Sequence, residues 1–275
     1  MINALSVDVE DWFQVTAFEK IIRRDDWDTC ESRVTSNVHK ILDILSPAGV
    51  KATFFILGWI AERFPKLVVS IRDGGHEIST HGYDHKLILL QNKEEFYRDV
   101  AKAIKVLESI IGEKVIGYRA PSCSIVPETL WAWEQLAELG IRYDSSIFPI
   151  KHDRYGVAGL PRYPFTVNLG NGRNLVEFPL STVRIMGKNI PIAGGGYLRL
   201  YPYWFVKWAV KRINKRGHPA IFYLHPWEID PFQPKQEVNL FKKLRHYSNI
   251  WATESKIKAL IQDFQFTTVR EVLNM

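Results

Sequence analysis

Apolar positions along the chain alternate between two patterns. Short stretches at Ala4–Val9, Ala52–Leu57, His76–Thr80, Val115–Tyr118, Ile141–Tyr143 and Pro219–Leu224 read as buried strands. Between them apolar residues recur every three to four positions, which is the helical period. Val38, Ile41, Leu42 and Leu45 predict a helix capped by Thr35 or Ser36 and stopped at Gly49. Pro65–Arg72 predicts a second, ending at Gly74-Gly75. Phe96, Val100, Ile104, Leu107 and Ile111 define a long amphipathic helix with Asn92 as its cap. Glu128–Leu139, Tyr203–Lys215 and Glu254–Phe264 read as further helices, the first stopped by Gly140, and Phe266–Val269 as a last strand. From Ile150 to Tyr201 the pattern breaks. Gly, Pro and Asn become frequent there, and Asn171-Gly172 sits between apolar runs as a hairpin turn does.

Strand–helix alternation of this kind predicts a parallel α/β architecture, as a barrel or a doubly wound sheet, with its chemistry at the carboxyl ends of the strands. The 275 residues, 46% of them hydrophobic, suffice for one large domain. A formal charge of +6 is mild and spread along the chain, with no arginine-rich tract and no zinc-finger spacing, so a nucleic-acid partner is not expected. Two cysteines, Cys30 and Cys123, are too few for a disulfide scaffold and read as reduced thiols. The opening MINALSVDVEDWF has neither the basic nor the apolar region of a signal peptide, and no apolar run reaches the roughly 20 residues of a membrane span. The expectation is a cytoplasmic protein.

Four polar clusters follow predicted strands. Asp8-Val9-Glu10-Asp11-Trp12 places three carboxylates within four residues, as either a solvated acidic turn or a cation site. His81-Gly82-Tyr83-Asp84-His85 has a spacing that, if helical, puts both imidazoles on one face; two imidazoles and a carboxylate form an open zinc site. Arg119, in Gly117-Tyr118-Arg119-Ala120-Pro121-Ser122, can orient a carboxylate base or serve a structural ion pair. His225, in Leu224-His225-Pro226-Trp227-Glu228, can act as a proton donor or be a satisfied polar residue. Taken together they supply metal, base, orienting Arg and acid for metal-assisted cleavage of an amide or ester. No Gly-x-Ser-x-Gly and no Walker-type loop is present, and Gly194-Gly195-Gly196 reads as a tight turn that lets substrate approach closely.

These motifs resemble those of the NodB-type polysaccharide deacetylases, carbohydrate esterase family four. The carriers are Asp8 with Glu10 or Asp11, His81 and His85, Arg119-Ala120-Pro121, and Leu224-His225. Longer stretches resemble the exosortase-associated branch linked to exopolysaccharide synthesis: Asp8–Phe13, Arg119–Ser122, Tyr143-Asp144-Ser145-Ser146, Tyr223–Asp230, Arg245-His246-Tyr247 and Thr253–Lys256. The resemblance implies a distorted (β/α)7 barrel, a divalent metal such as Zn2+, and an N-acetylated polysaccharide or oligosaccharide as substrate. Residues 1–230 would form the barrel, with 150–201 as an insertion and 231–275 as a family-specific segment completing the same domain.

The wider family has two adjacent Asp residues where this chain has Asp8-Val9. With Asp8 as base, the third ligand beside His81 and His85 is Glu10 or Asp11. Strand alternation puts Glu10 on the face of Asp8, whereas Asp11 requires the turn to fold back. On this reading Arg119 holds Asp8, His225 protonates the leaving amine and Asp144 orients His225. Trp12, Trp227 and Tyr197, with Pro121 and Leu224, line the substrate groove or pack as core. Two other readings are a small cyclic amide hydrolase of the allantoinase kind on the same scaffold, and a glycan-binding protein without activity.

Overall fold

The computed structural model describes residues 1–151, 156–170 and 172–275. Eleven strands are present among them: β1 Ile2–Val9, β2 Thr53–Ile56, β3 Glu77–Thr80, β4 Gly117–Tyr118, β5 Tyr143–Asp144, β6 Phe165–Asn168, β7 Asn174–Glu177, β8 Thr182–Ile185, β9 Lys188–Pro191, β10 Ile221–Leu224 and β11 Gln265–Thr267. The helices are α1 Val34–Leu45, α2 Gly58–Arg63, α3 Pro65–Asp73, α4 Lys93–Ile111, α5 Ala132–Glu138, α6 Gly195–Leu200, α7 Tyr203–Asn214, α8 Leu240–Tyr247, α9 Thr253–Asp263 and α10 Val269–Val272.

The main sheet runs β10-β1-β2-β3-β4-β5-β7-β6. All neighbours from β10 to β7 are parallel, and only β6 is antiparallel, on β7. Seven parallel strands with covering helices make the α/β fold of a (β/α)7 barrel. The barrel is distorted because no ladder among the described residues joins β7 to β10. Ser181, four residues past β7, closes part of that gap: its Oγ accepts the amide of Ile221 on β10 at 2.8 Å. The parallel strands are buried on both faces.

Several sequence expectations need correction. α1 is capped neither by Thr35 nor by Ser36. Asp11, more than twenty residues earlier, accepts the amides of Arg33 and Val34 at its first turn. The helix expected over Glu128–Leu139 narrows to α5, because Pro127–Thr129 forms a separate 3-10 turn. The last expected strand stops at Thr267 and continues as α10. The hairpin between β6 and β7 is present, with Asn168 opposite Asn174; Asn171, on which its turn was predicted, lies outside the described residues. β7 falls within 150–201, so the segment read as an insertion supplies a strand of the barrel. In 231–275, β11 pairs with Ile2–Ala4 of β1. No described helix is long and apolar enough to cross a membrane.

Candidate active site

The polar clusters converge at the carboxyl ends of β1, β3, β4 and β10. Asp8 is the penultimate residue of β1 and Glu10 follows its end, both on one face as strand alternation requires. His81 follows β3, Arg119 follows β4 and His225 follows β10.

Glu10, His81 and His85 offer one ligand atom each, all within 4.8 Å of one another. Oε2 of Glu10 is buried and receives no well-formed hydrogen bond; its near neighbour is His85 Nε2 at 2.7 Å. A buried carboxylate oxygen left in that state is costly unless a cation completes it. His81 Nδ1 lies 2.8 Å from the carbonyl oxygen of Arg119. A carbonyl only accepts, so Nδ1 carries the hydrogen and Nε2 keeps its lone pair. Burial lowers His81 to about 4, against the pull of Asp8, so the ring is neutral as a metal ligand must be. Burial would raise Glu10, but His85, His225 and His81 outweigh it and hold the carboxylate well below its usual range. One carboxylate and two imidazoles fit a divalent cation such as zinc.

The two histidines do not share a helix. Residues 81–85 form a loop in which Gly82 has φ 76° and His85 has φ 52°. The loop is clamped from outside by Asp99 on α4, whose Oδ2 accepts the Tyr83 amide at 2.8 Å and whose Oδ1 accepts that of Asp84 at 3.3 Å. Ser122 and Cys123, beside Arg119-Ala120-Pro121, are also left-handed. Left-handed non-glycine residues thus gather on two of the loops that build the site, where surrounding contacts must hold them.

Arg119 is wholly buried and its fork is engaged throughout. Nη1 donates to Asp8 Oδ1 and to Ser6 Oγ, each at 2.7 Å; Nε donates to the Ser145 carbonyl and Nη2 to Ser145 Oγ, each at 2.8 Å. The Phe55 ring lies 4.3 Å from the guanidinium carbon. Asp8 is therefore fixed by a bidentate-capable cation that is itself fixed.

His225 lies on the opposite side of Glu10, with Nε2 3.4 Å from Glu10 Oε1 and Nδ1 3.1 Å from Glu228 Oε2. Glu228 receives Arg199 Nε at 3.1 Å, so a buried Arg199–Glu228–His225 chain orients the imidazole. Burial would lower His225, but Glu10, Glu228 and Asp8 outweigh it and raise the ring to about 9. Glu228 would keep the ring basic once a cation neutralised Glu10.

Asp11, one of the two ligand readings left open, and Asp144 are placed away from the cluster. Asp11 is not brought to the cluster: Oδ2 accepts Ser32 Oγ and the amides of Arg33 and Val34, and Oδ1 accepts that of Trp12. Its lone pairs are spent on the turn that starts α1. Asp144 does not touch His225. It accepts Trp133 Nε1 at 2.8 Å and Ser146 Oγ, and shares a buried carboxyl contact with Glu177. Burial raises both, Glu177 the more because it lies beside the Asp144 charge. Ser146 Oγ in turn accepts the Ala120 amide, so Tyr143-Asp144-Ser145-Ser146 braces the Arg119 loop.

The side chains read as groove or core are for the most part buried. Both faces of Trp227 are covered, by His225 and His246 at 5.0 and 4.3 Å between centroids, and its Nε1 donates to Glu10 Oε1 at 3.2 Å. Trp227 therefore orients Glu10. Trp12 is 4% exposed, donates to the Glu31 carbonyl and packs as core with Phe13; Pro121 and Leu224 are buried too. Tyr197 is half-buried against Phe148 and Tyr201. Gly194 and Gly195 serve close packing within the protein, since a Cβ would meet the Tyr223 ring at 2.7 Å or the Glu228 carboxylate at 1.7 Å. Glu228, Arg199 and Asp99 escaped the sequence reading. Only Glu228 left a signal, as the third residue after His225 in a capping-box spacing.

The fold of seven parallel strands is shared with solved structures of deacetylases and of an allantoinase. A polysaccharide deacetylase from Mycobacterium smegmatis superposes with a TM-score of 0.66 at 20% identity, covering 99% of this chain and 88% of that one. An allantoinase superposes at 0.63 and 14% identity, covering 99% and 89%. Residues 25–143 match the family model for polysaccharide deacetylases, and residues 145–274 match one described as a domain of unknown function, DUF3473.

Among curated proteins, a peptidoglycan-N-acetylglucosamine deacetylase of Bacillus cereus is 39% identical over 97 residues, which is 35% of either chain. A peptidoglycan deacetylase-like protein of Gibberella zeae is 34% identical over 112 residues, 40% of this chain and 32% of that one. A peptidoglycan deacetylase of Helicobacter pylori is 24% identical over 143 residues, 52% and 44%. The matched stretches thus span less than half the length of these relatives. The polysaccharide deacetylase model and these relatives thus show a likeness over part of the chain, the model over residues 25–143.

Proposed function

We propose that the protein is a metal-dependent deacetylase that hydrolyses N-acetyl groups of a glycan to acetate and free amine. The observation that carries this reading is the placement of Glu10, His81 and His85 between Asp8, fixed by Arg119, and His225, fixed by Glu228. A divalent cation held by Glu10, His81 and His85 would supply Lewis acidity, polarising the amide carbonyl and acidifying water.

Asp8 takes the proton of the attacking water at the carboxylate oxygen not engaged by Arg119. Water oxygen bonds to the amide carbon, and the carbon–nitrogen bond then breaks. His225 delivers a proton from Nε2 to the departing amine while Glu228 holds the Nδ1–H. The resemblance of Arg119–Ser122, Tyr143–Ser146 and Tyr223–Asp230 to the exosortase-associated branch supports a glycan of exopolysaccharide synthesis as substrate. It gains weight from what those stretches do: Ser145 and Ser146 brace the Arg119 loop, and Trp227 and Glu228 orient Glu10 and His225.

The test is incubation of zinc-loaded protein with N-acetylglucosamine oligomers and, separately, with allantoin. Acetate release, with free amines on the oligomer by mass spectrometry, supports the reading. Ring opening of allantoin without acetate release would assign the site to cyclic amides.

A further inference from the structure

We propose that the outward face of α7 is a docking surface for an anionic lipid bilayer. The inward side of this helix is fully spent: Val206, Ala209, Val210 and Ile213 are buried against the barrel. Its outward side carries Trp204, which is 70% exposed, and Trp208, which is 39% exposed. Successive helical residues turn by 100°, so Trp204, Trp208 and Lys211 fall in one narrow stripe flanked by Arg212. Lys215 and Arg216 continue it just past the helix end, and all four basic residues are exposed. Leu200, 53% exposed at the end of α6, extends the apolar part.

Two properties separate this face from an ordinary solvated one. Exposed tryptophans are rare unless something covers them, and an indole with an apolar body and one N–H suits the boundary between headgroups and acyl chains. Cations dominate the remainder. Among the described residues Lys211, Arg212, Lys215 and Arg216 form no salt bridge with a carboxylate; Lys207 alone is paired, with Asp263. Arg212 instead lies 5.4 Å from the centroid of the Trp208 ring. Four cations without a salt bridge, following two exposed indoles along the chain, complement an anionic lipid surface, where each cation contributes about fivefold to partitioning. A neutral apolar partner would leave these cations uncompensated. The face contains none of the residues of the metal cluster.

The test is co-sedimentation of the full chain with sucrose-loaded vesicles of phosphatidylcholine alone or mixed equally with phosphatidylglycerol. The expected result is binding to the anionic vesicles, at least about tenfold weaker binding to the neutral ones, and release at about 0.5 M NaCl, where charges are screened over a few ångströms. K211Q/R212Q/K215Q/R216Q and, separately, W204S/W208S should each lower binding about tenfold or more with an unchanged melting temperature. Equal partitioning onto both vesicle types, no sedimentation with either, or wild-type binding by the charge variant would overturn the proposal. So would a concentration-dependent dimer that W204S/W208S abolishes, which would give the face to a second copy of the chain. Binding to polygalacturonate with none to vesicles would give it to an anionic polymer and overturn it equally.

Discussion

At the scale of single residues, position relative to a strand end separates functional from structural carboxylates. Glu10 and Asp11 are neighbours, yet one faces three histidines and the other caps a helix. Replacing them should therefore have unlike effects. Glu10→Gln should lower bound zinc, measured by elemental analysis after dialysis, and abolish acetate release while the fold melts near its normal temperature. Asp11→Ala should leave zinc binding to the folded protein intact and cost about 1–2 kcal/mol in urea unfolding, the usual loss for a helix cap. Metal loss in Asp11→Ala with none in Glu10→Gln would reverse the ligand assignment.

Glu228 and Asp144 make a second such pair. Glu228→Gln removes the negative charge facing His225 Nδ1–H and should lower kcat about 10–100-fold with little change in KM or zinc content. Asp144→Ala leaves Trp133 Nε1 without its acceptor and should instead cost about 2–3 kcal/mol of stability. An equal loss of kcat in both variants, at equal stability, would return the orienting role to Asp144.

At the scale of elements, what was legible in the sequence is what short-range pattern encodes. β1, β2, β3 and β10 are buried on both faces, and short stretches rich in apolar or β-branched residues mark them, so the polar residues after them, Glu10, His81 and His225, could be picked out. The hydrogen bond that the Glu95 amide donates to Asn92 Oδ1 sits within one turn, and the sequence places this cap. The contacts that aim the side chains are long-range and leave no such trace. Asp99 lies on the polar side of α4, among ordinary charged positions, yet receives two amides of the ligand loop sixteen and fifteen residues away. Arg199 meets Glu228 across 29 positions. Trp227 stayed open between groove and core, because residue type cannot show that His225 and His246 stack on its ring.

The clamp on the ligand loop can be tested at this scale. Asp99→Ala frees the Tyr83 and Asp84 amides and with them the left-handed backbone of His85. Zinc affinity by competition with a chelator should fall about tenfold or more, in line with loss of a supporting contact around a metal site. Unchanged affinity would show that packing alone holds the loop.

At the scale of the whole molecule, chemistry and polar stabilisation occupy opposite ends of the barrel. The site gathers where the parallel strands end. Where they begin, Val269 donates its amide to Thr53 Oγ1, Arg270 donates its own to Glu77 Oε2, and β11 pairs with the start of β1. His76 belongs to this end. It precedes β3, and its Nδ1 accepts the Ala52 amide at 3.1 Å, a bond that only the unprotonated ring can accept. Burial, and next the Lys51 charge, lower His76 to about 4.

The sign of the consequence follows from linkage. Between the ordinary histidine value near 6.5 and about 4, the unfolded chain binds a proton that the folded chain refuses, so stability rises with pH across this window. The contribution is fully present above the ordinary value and is lost as pH falls through the window. Because the ring is partly wet, solvent screening reduces it to on the order of 1–2 kcal/mol. His76→Gln keeps an acceptor for the Ala52 amide and does not titrate. Other groups that titrate in the same window are common to both proteins and cancel in the comparison. Urea unfolding of the two proteins at neutral pH and near pH 4.5 should therefore show the wild type losing more stability on acidification, by about that amount. Parallel losses in both would mean that the folded ring takes up its proton without breaking the Ala52 bond, and would remove His76 from the account of acid stability.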